Sequence, residues 1–123
     1  MNENITFDSP IANTKNGDVA GRFRNDVELF AGIPYASPPI GDLRFAAPTP
    51  PENWEGVRDA KRFGPASPQL PGEGLTDRFP VRWDEDCLYL NVVTPASDDK
   101  KRPVYVWIHG GAYRKGQGGV AWY

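Results

Sequence analysis

Apolar residues in this 123-residue chain come in short runs cut by turn signals, with no long stretch of helical period. Between Ile5 and Tyr35 the runs break at Asn16-Gly17-Asp18 and at Arg24-Asn25-Asp26, both composed like tight hairpin connections. A small antiparallel meander is predicted there. Val27 to Ile33 alternates in part and stops at Pro34, whose fixed φ and missing N–H end regular pairing. From Pro34 to Asp84 the chain reads as loop, punctuated by Pro38-Pro39, Gly41-Asp42, Pro48, Pro50-Pro51 and Gly72-x-Gly74. Only Val57 to Phe63 has room for a turn or two of helix before Gly64-Pro65 stops it. Cys87 to Thr94 is β-branched and aromatic, ends at Pro95, and predicts a strand. Val104 to Ile108 is apolar without alternation and predicts a strand buried on both faces, with Tyr105 and Trp107 in a core.

Such a strand needs a layer over each face, usually helices brought by crossover connections. No amphipathic helix longer than about two turns is encoded here to supply them. The loop region runs to roughly fifty residues, whereas loops beyond ~12–15 residues are already uncommon inside a compact domain. The chain therefore reads as the first part of a larger α/β body. Composition sharpens the picture of the loop. Glycine and proline number 13 each, above average usage, and most of the prolines fall between Pro34 and Pro80. Trp54, Phe63, Phe79 and Trp83 are spread through the same region, so it is expected to be irregular yet packed, not disordered.

Charge excludes more than it suggests. Lys+Arg 14 against Asp+Glu 16 leaves a net charge of −2, which supplies no general attraction to nucleic acid or to an anionic membrane surface. No run approaches the ~18–20 apolar residues of a membrane span, and Met1 to Thr6 has neither the basic nor the apolar character of a signal peptide. A soluble, cytoplasmic protein is expected. Cys87 is the single cysteine, so no internal disulfide can form. It is expected as a reduced, buried thiol, with no metal site and no cofactor.

The candidate chemistry follows the second apolar strand, at His109-Gly110-Gly111-Ala112-Tyr113 and the glycine-rich Arg114 to Gly119. Adjacent glycines at a strand end let the backbone turn sharply and aim successive N–H groups into a cavity, with no Cβ in the way. An HGGG-type turn of this kind is the oxyanion-hole element of lipases and esterases. A tight structural turn is the plain alternative. His109 reads as a hydrogen-bonded histidine holding that turn. Gly116-x-Gly118-Gly119 lacks the Gly-Lys-Ser/Thr ending of a phosphate loop. Glu85 and Asp86, as strand neighbours, would point to opposite faces and make a poor acid/base pair.

Five blocks then add up to a resemblance. These are Gly32-Ile33-Pro34-Tyr35-Ala36-x-Pro38-Pro39-x-Gly41-x-Leu43-Arg44-Phe45, Trp54-Glu55-Gly56-Val57-Arg58-Asp59-Ala60, Phe63-Gly64-Pro65, Glu85-Asp86-Cys87-Leu88-Tyr89-Leu90-Asn91-Val92, and Val106-Trp107-Ile108-His109-Gly110-Gly111-Ala112. In order and spacing the whole chain, residues 1–123, resembles the N-terminal part of a single type-B carboxylesterase domain of the para-nitrobenzyl esterase kind. The resemblance implies an α/β-hydrolase fold, here its antiparallel strands and first core strands, loop-rich and with few helices. It also implies hydrolysis of small-molecule carboxylic esters through a serine acyl-enzyme. Carried over by motif position, the backbone N–H groups of Gly111 and Ala112 are the oxyanion donors and Gly110 makes the turn. The resemblance also implies an ion pair between Arg44 and Glu85, which would pin the proline-rich segment against the strand at Leu88. By the same resemblance, Tyr113 and Gly116 to Gly119 would border the acyl pocket or gorge entrance.

Two departures stand out. Many members of the family pair the Glu-Asp-Cys cysteine with one about twenty residues earlier, where this chain has Ser67, so Cys87 is expected free. No Gly-x-Ser-x-Gly occurs, and none of Ser9, Ser37, Ser67 and Ser97 has a nucleophile elbow's glycines. His109, the single histidine, is already committed to the turn. The nucleophile, acid and base are therefore expected outside these residues, and the isolated chain is expected to be inactive, with the remainder of the hydrolase domain as its partner. The alternatives are a non-catalytic, cholinesterase-like binding or adhesion module and an inactive remnant.

Overall fold

The computed structural model describes residues 9–70 and 81–119. Met1 to Thr6, Gly72-x-Gly74 and Phe79 lie outside the described residues. Among the described residues six strands, β1 (Ile11–Thr14), β2 (Gly17–Ala20), β3 (Arg22–Arg24), β4 (Val27–Pro34), β5 (Val57–Asp59) and β6 (Tyr89–Thr94), form two sheets ordered β1-β2-β5 and β3-β4-β6. The one helical element among the described residues is a 3-10 turn, Gly41–Leu43.

Both hairpins form, with loops of two residues. Thr14 pairs with Gly17, so the β1–β2 loop is Lys15-Asn16 and Gly17 already belongs to β2. Thr14 locks the turn: its hydroxyl donates to the Gly17 carbonyl at 2.7 Å and accepts the Asn16 N–H at 3.2 Å. Arg24 pairs with Val27 around Asn25-Asp26, with Asn25 at φ 53, a conformation asparagine tolerates better than most residues. The hairpins do not join into the expected meander. Gly21 separates them into different sheets, and the free side of β2 is taken by β5 instead.

That pairing also corrects the helix expected between Val57 and Phe63. Val57–Asp59 runs parallel to β2, in register Asp18↔Val57, Val19↔Arg58 and Ala20↔Asp59. The ladder continues through Ala60, whose N–H donates to Ala20 O at 2.8 Å and whose carbonyl accepts the Ala31 N–H at 2.7 Å. Ala60 thus bridges the two sheets and is fully buried. A weak local helical preference cannot compete with an edge strand whose backbone groups need partners. Among the described residues Val19, Phe30 and Ala60 form one buried cluster, with Ala12, Ile33 and Trp54 packed against it, and Leu29 on β4 is also fully buried. Trp54, half-buried, packs against this cluster and satisfies its indole N–H on Asp18 O at 2.8 Å. The expectation that the proline-rich region packs holds at Trp54 and at half-buried Phe63, but Trp83 is 57% exposed.

β6 pairs antiparallel with β4 and starts at Tyr89, two residues later than the sequence pattern suggests. Phe30 pairs with Val92 and Ile33 with Leu90, so β4 carries one extra residue in a bulge opposite Asn91. The largest correction concerns Val104 to Ile108. The segment belongs to neither sheet, and Val104, Tyr105 and Ile108 are each 84% exposed. Tyr105 and Trp107 are therefore not core residues in this structure. An apolar run becomes a buried strand only where neighbouring strands and a covering layer reach it, and neither described sheet does so.

Candidate functional site

The turn at 110–116 is built from left-handed backbone. Gly111, Ala112 and Tyr113 have φ of 131, 54 and 60 in succession. The Gly111 carbonyl folds inward and accepts the N–H groups of Arg114 at 3.0 Å and Lys115 at 3.2 Å. Ala112 and Tyr113 hold conformations that cost non-glycine residues on the order of 1–3 kcal/mol each, and the Tyr113 side chain is fully exposed. A Cβ on Gly111 would lie 1.8 Å from the Lys115 carbonyl oxygen, so only glycine allows the turn to close. Gly110 is exposed, and a Cβ there would meet nothing within 4 Å.

His109 orients this turn through its own backbone neighbour. Its Nδ1 lies 2.8 Å from the Gly110 carbonyl oxygen. A carbonyl only accepts, so Nδ1 carries the hydrogen. The Gly110 carbonyl and the Gly111 N–H belong to one trans peptide and point in opposite directions. Holding the carbonyl therefore sets where the Gly111 N–H aims. Among the described residues, neither the Gly111 nor the Ala112 N–H has a hydrogen-bond acceptor.

The loop after the turn is fastened at two places that the sequence pattern did not single out. Asn91 sits opposite the β4 bulge, where its Oδ1 accepts the Gly32 N–H at 3.0 Å, and its Nδ2 donates to Gly118 O at 3.2 Å. An asparagine inside a β-branched strand was the available signal, since asparagine is depleted in strands. Gln69, in the proline-rich region, bonds Gly116. Nothing in its local sequence marks it. Gly119 packs closely on Phe63, where a Cβ would come within 3.0 Å of the side chain.

Arg44 and Glu85 are in contact, with Nε 2.9 Å from a carboxylate oxygen and both side chains about half exposed. Beside them, Asp86 accepts the Tyr89 hydroxyl at 2.9 Å. Burial, reinforced by that hydrogen bond and the Asp86 charge, pushes the Tyr89 hydroxyl pKa upward. Cys87 is a free thiol, half-buried where full burial was expected. Burial raises its pKa, with Asp86 and Asp84 adding to the effect. Tyr35 is raised by burial and by its proximity to Cys87. Among the described residues no cluster of three or more His, Cys, Asp or Glu could hold a metal ion, and no helix is long and apolar enough to cross a membrane.

Comparison with known proteins gives one consistent result. Residues 8–122 match the sequence profile of the carboxylesterase family. The chain is 46% identical over 115 residues to phenmedipham hydrolase of Pseudarthrobacter oxydans, which covers 90% of this chain and 23% of that protein. It is 48% identical over 110 residues to para-nitrobenzyl esterase of Bacillus subtilis, covering 88% and 22%. A solved PNB esterase structure superposes with a TM-score of 0.83 at 47% identity, over 89% of this chain and 23% of that one. The chain thus spans less than a quarter of the length of the relatives it matches. Its two sheets are a strand-rich portion of the α/β-hydrolase fold that these structural neighbours share.

Proposed function

Because the chain belongs to the carboxylesterase family, we propose that it supplies the oxyanion-binding turn of a carboxylic ester hydrolase. One observation carries this reading: the left-handed Gly111-Ala112 turn presents two backbone N–H groups without acceptors among the described residues. In the reaction a serine oxygen attacks the ester carbonyl carbon while a histidine takes the serine proton. The carbonyl π pair moves onto oxygen, and the Gly111 and Ala112 N–H groups bind the resulting anion. When the pair returns, the bond to the alcohol oxygen breaks and the histidine hands its proton to the departing alkoxide, leaving an acyl-serine. Water then repeats the sequence and releases the acid. Neither a Gly-x-Ser-x-Gly elbow nor a second histidine occurs among the 123 residues. Serine, base and acid accordingly belong to the part of the domain for which the relatives extend beyond this match. The exposed apolar run Val104 to Ile108 is where that remainder packs, and the lone Cys87 thiol suits a reducing cytoplasm.

The test is hydrolysis of p-nitrophenyl acetate by the 123-residue chain and by a chimera in which residues 9–119 replace the matching segment of para-nitrobenzyl esterase. An active chimera and an inactive chain are expected. Protein-dependent nitrophenol release by the chain alone, abolished by a serine-directed phosphonate, would overturn the division of labour. A folded chimera that hydrolyses nothing would overturn the reading.

A further inference from the structure

We propose that Gln69 is a positioning residue for the oxyanion turn, acting through Gly116; the proposal rests on the ester-hydrolase reading above. The Gln69 carboxamide makes three bonds of 3.0 Å. Oε1 accepts the Gly116 N–H, and Nε2 donates to the carbonyls of Gly116 and Ser67. The partners dictate the amide's orientation, because an N–H can only face the oxygen and two carbonyls can only face the NH2 group. Reversing the amide would break all three bonds. One side chain thus grips both backbone groups of a single residue, as a neighbouring strand would.

Gly116 is the residue through which that grip reaches the site. At φ 108 it seats so closely on the turn that a Cβ would lie 2.5 Å from Gly110 O and 2.7 Å from His109 Nδ1. Those two atoms form the hydrogen bond that orients the Gly110–Gly111 peptide, and hence the Gly111 N–H. The route therefore runs from Gln69 to Gly116, from Gly116 onto the His109–Gly110 contact, and from there to the donor. Ser67, whose carbonyl shares Nε2, ties the same grip to the proline-rich segment. Preorganised donors work because they need not reorient as charge develops. Loosening Gly116 restores that reorientation without touching substrate.

Gln69→Glu is the isosteric probe. It keeps the acceptor for the Gly116 N–H but sets a carboxylate oxygen against two carbonyls. In the chimera, kcat for p-nitrophenyl acetate should fall at least tenfold with KM within twofold of the unsubstituted chimera. Affinity for an aryl trifluoromethyl ketone, which traps the serine as an oxyanion, should fall in parallel. A wild-type kcat, or a lowered kcat with unchanged ketone affinity, overturns the proposal. An unsubstituted chimera that is folded but inactive counts against the ester-hydrolase reading instead, and the second arm then decides. In the 15N-labelled 123-residue chain, Gln69→Glu should shift the Gly116 and Gly111 amide resonances at pH 7. Both should return toward wild type as pH falls through the pKa of the introduced carboxyl, which the two facing carbonyls raise above the ordinary ~4.3, because protonation restores a donor. A Gly111 amide that Gln69→Glu leaves unmoved overturns the proposal whatever the kinetics.

Discussion

A Cβ on Gly111 would lie 1.8 Å from the carbonyl oxygen of Lys115, well inside any tolerable contact and against backbone that has no freedom to yield. The start of the turn and its last carbonyl are in effect stacked. Gly111→Ala must therefore open the turn, while retaining the N–H it displaces. If the Gly111 N–H is the oxyanion donor proposed above, the expected loss of kcat in the chimera is on the order of 10²–10³, the usual scale for losing one such donor. Gly110→Ala, which meets nothing within 4 Å, should leave the melting temperature close to wild type where Gly111→Ala lowers it. Equal melting temperatures for the two variants would contradict the stacked geometry.

Asn91 ties the β4 bulge to the loop at Gly118 with one side chain. Asn91→Val suits the strand better by propensity, yet it strands the part-buried Gly32 N–H in the β4 bulge. An orphaned group of that kind costs about 1–3 kcal/mol. Urea denaturation should show a destabilisation in that range, and a variant as stable as wild type would mean that the bulge finds another acceptor.

Arg44 and Glu85 meet at 2.9 Å, but both are about half exposed, so solvent screens the pair. A double-mutant cycle with Arg44→Ala and Glu85→Ala should give a coupling of about 0.2–1 kcal/mol, shrinking as salt is added. A coupling above about 2 kcal/mol would assign the pair a role its exposure does not support.

Asp98 is held at a pKa of about 2, below its ordinary value of 3.8, mainly by the hydrogen bond from Arg102. A carboxyl whose folded pKa is depressed stabilises the fold above its unfolded pKa and loses that contribution as pH falls through the folded one. The stability difference between wild type and Asp98→Asn should therefore be constant above pH ~5 and decline between pH ~4 and ~2. Thermal melts across that range are the check; a difference independent of pH would remove the Arg102 interaction from the account.

The Cys87 thiol is raised by burial first and then by Asp86 and Asp84. Iodoacetamide should therefore modify it more slowly at pH 8 than it modifies an unfolded reference peptide, since the thiolate is the nucleophile. Asp86→Asn removes one of the two nearby charges and should speed the reaction at the same pH. A rate at or above that of the peptide would show that the site is neither desolvated nor negative.

Residue pattern alone carries the two hairpins, the strand that ends at Thr94 though not its start, and the glycine turn after Ile108. Each depends on interactions within a few residues: a two-residue loop between apolar runs, a β-branched stretch closed by Pro95, and adjacent glycines where the chain must reverse. It also carries the family, because five blocks in order form a signature that needs no coordinates. What only the tertiary structure decides is everything that depends on a distant partner. Val57–Asp59 becomes a strand because the edge of β2, nearly forty residues earlier (Val19 against Arg58), needs its backbone groups satisfied. Val104 to Ile108, which by composition belongs in a core, stays exposed because no described strand reaches it. Gln69 and Asn91 look ordinary in sequence and acquire their significance across 47 and 27 residues, where a side-chain amide meets the loop beyond the glycine turn. Local sequence sets which conformations are cheap, and long-range hydrogen bonding and packing select among them.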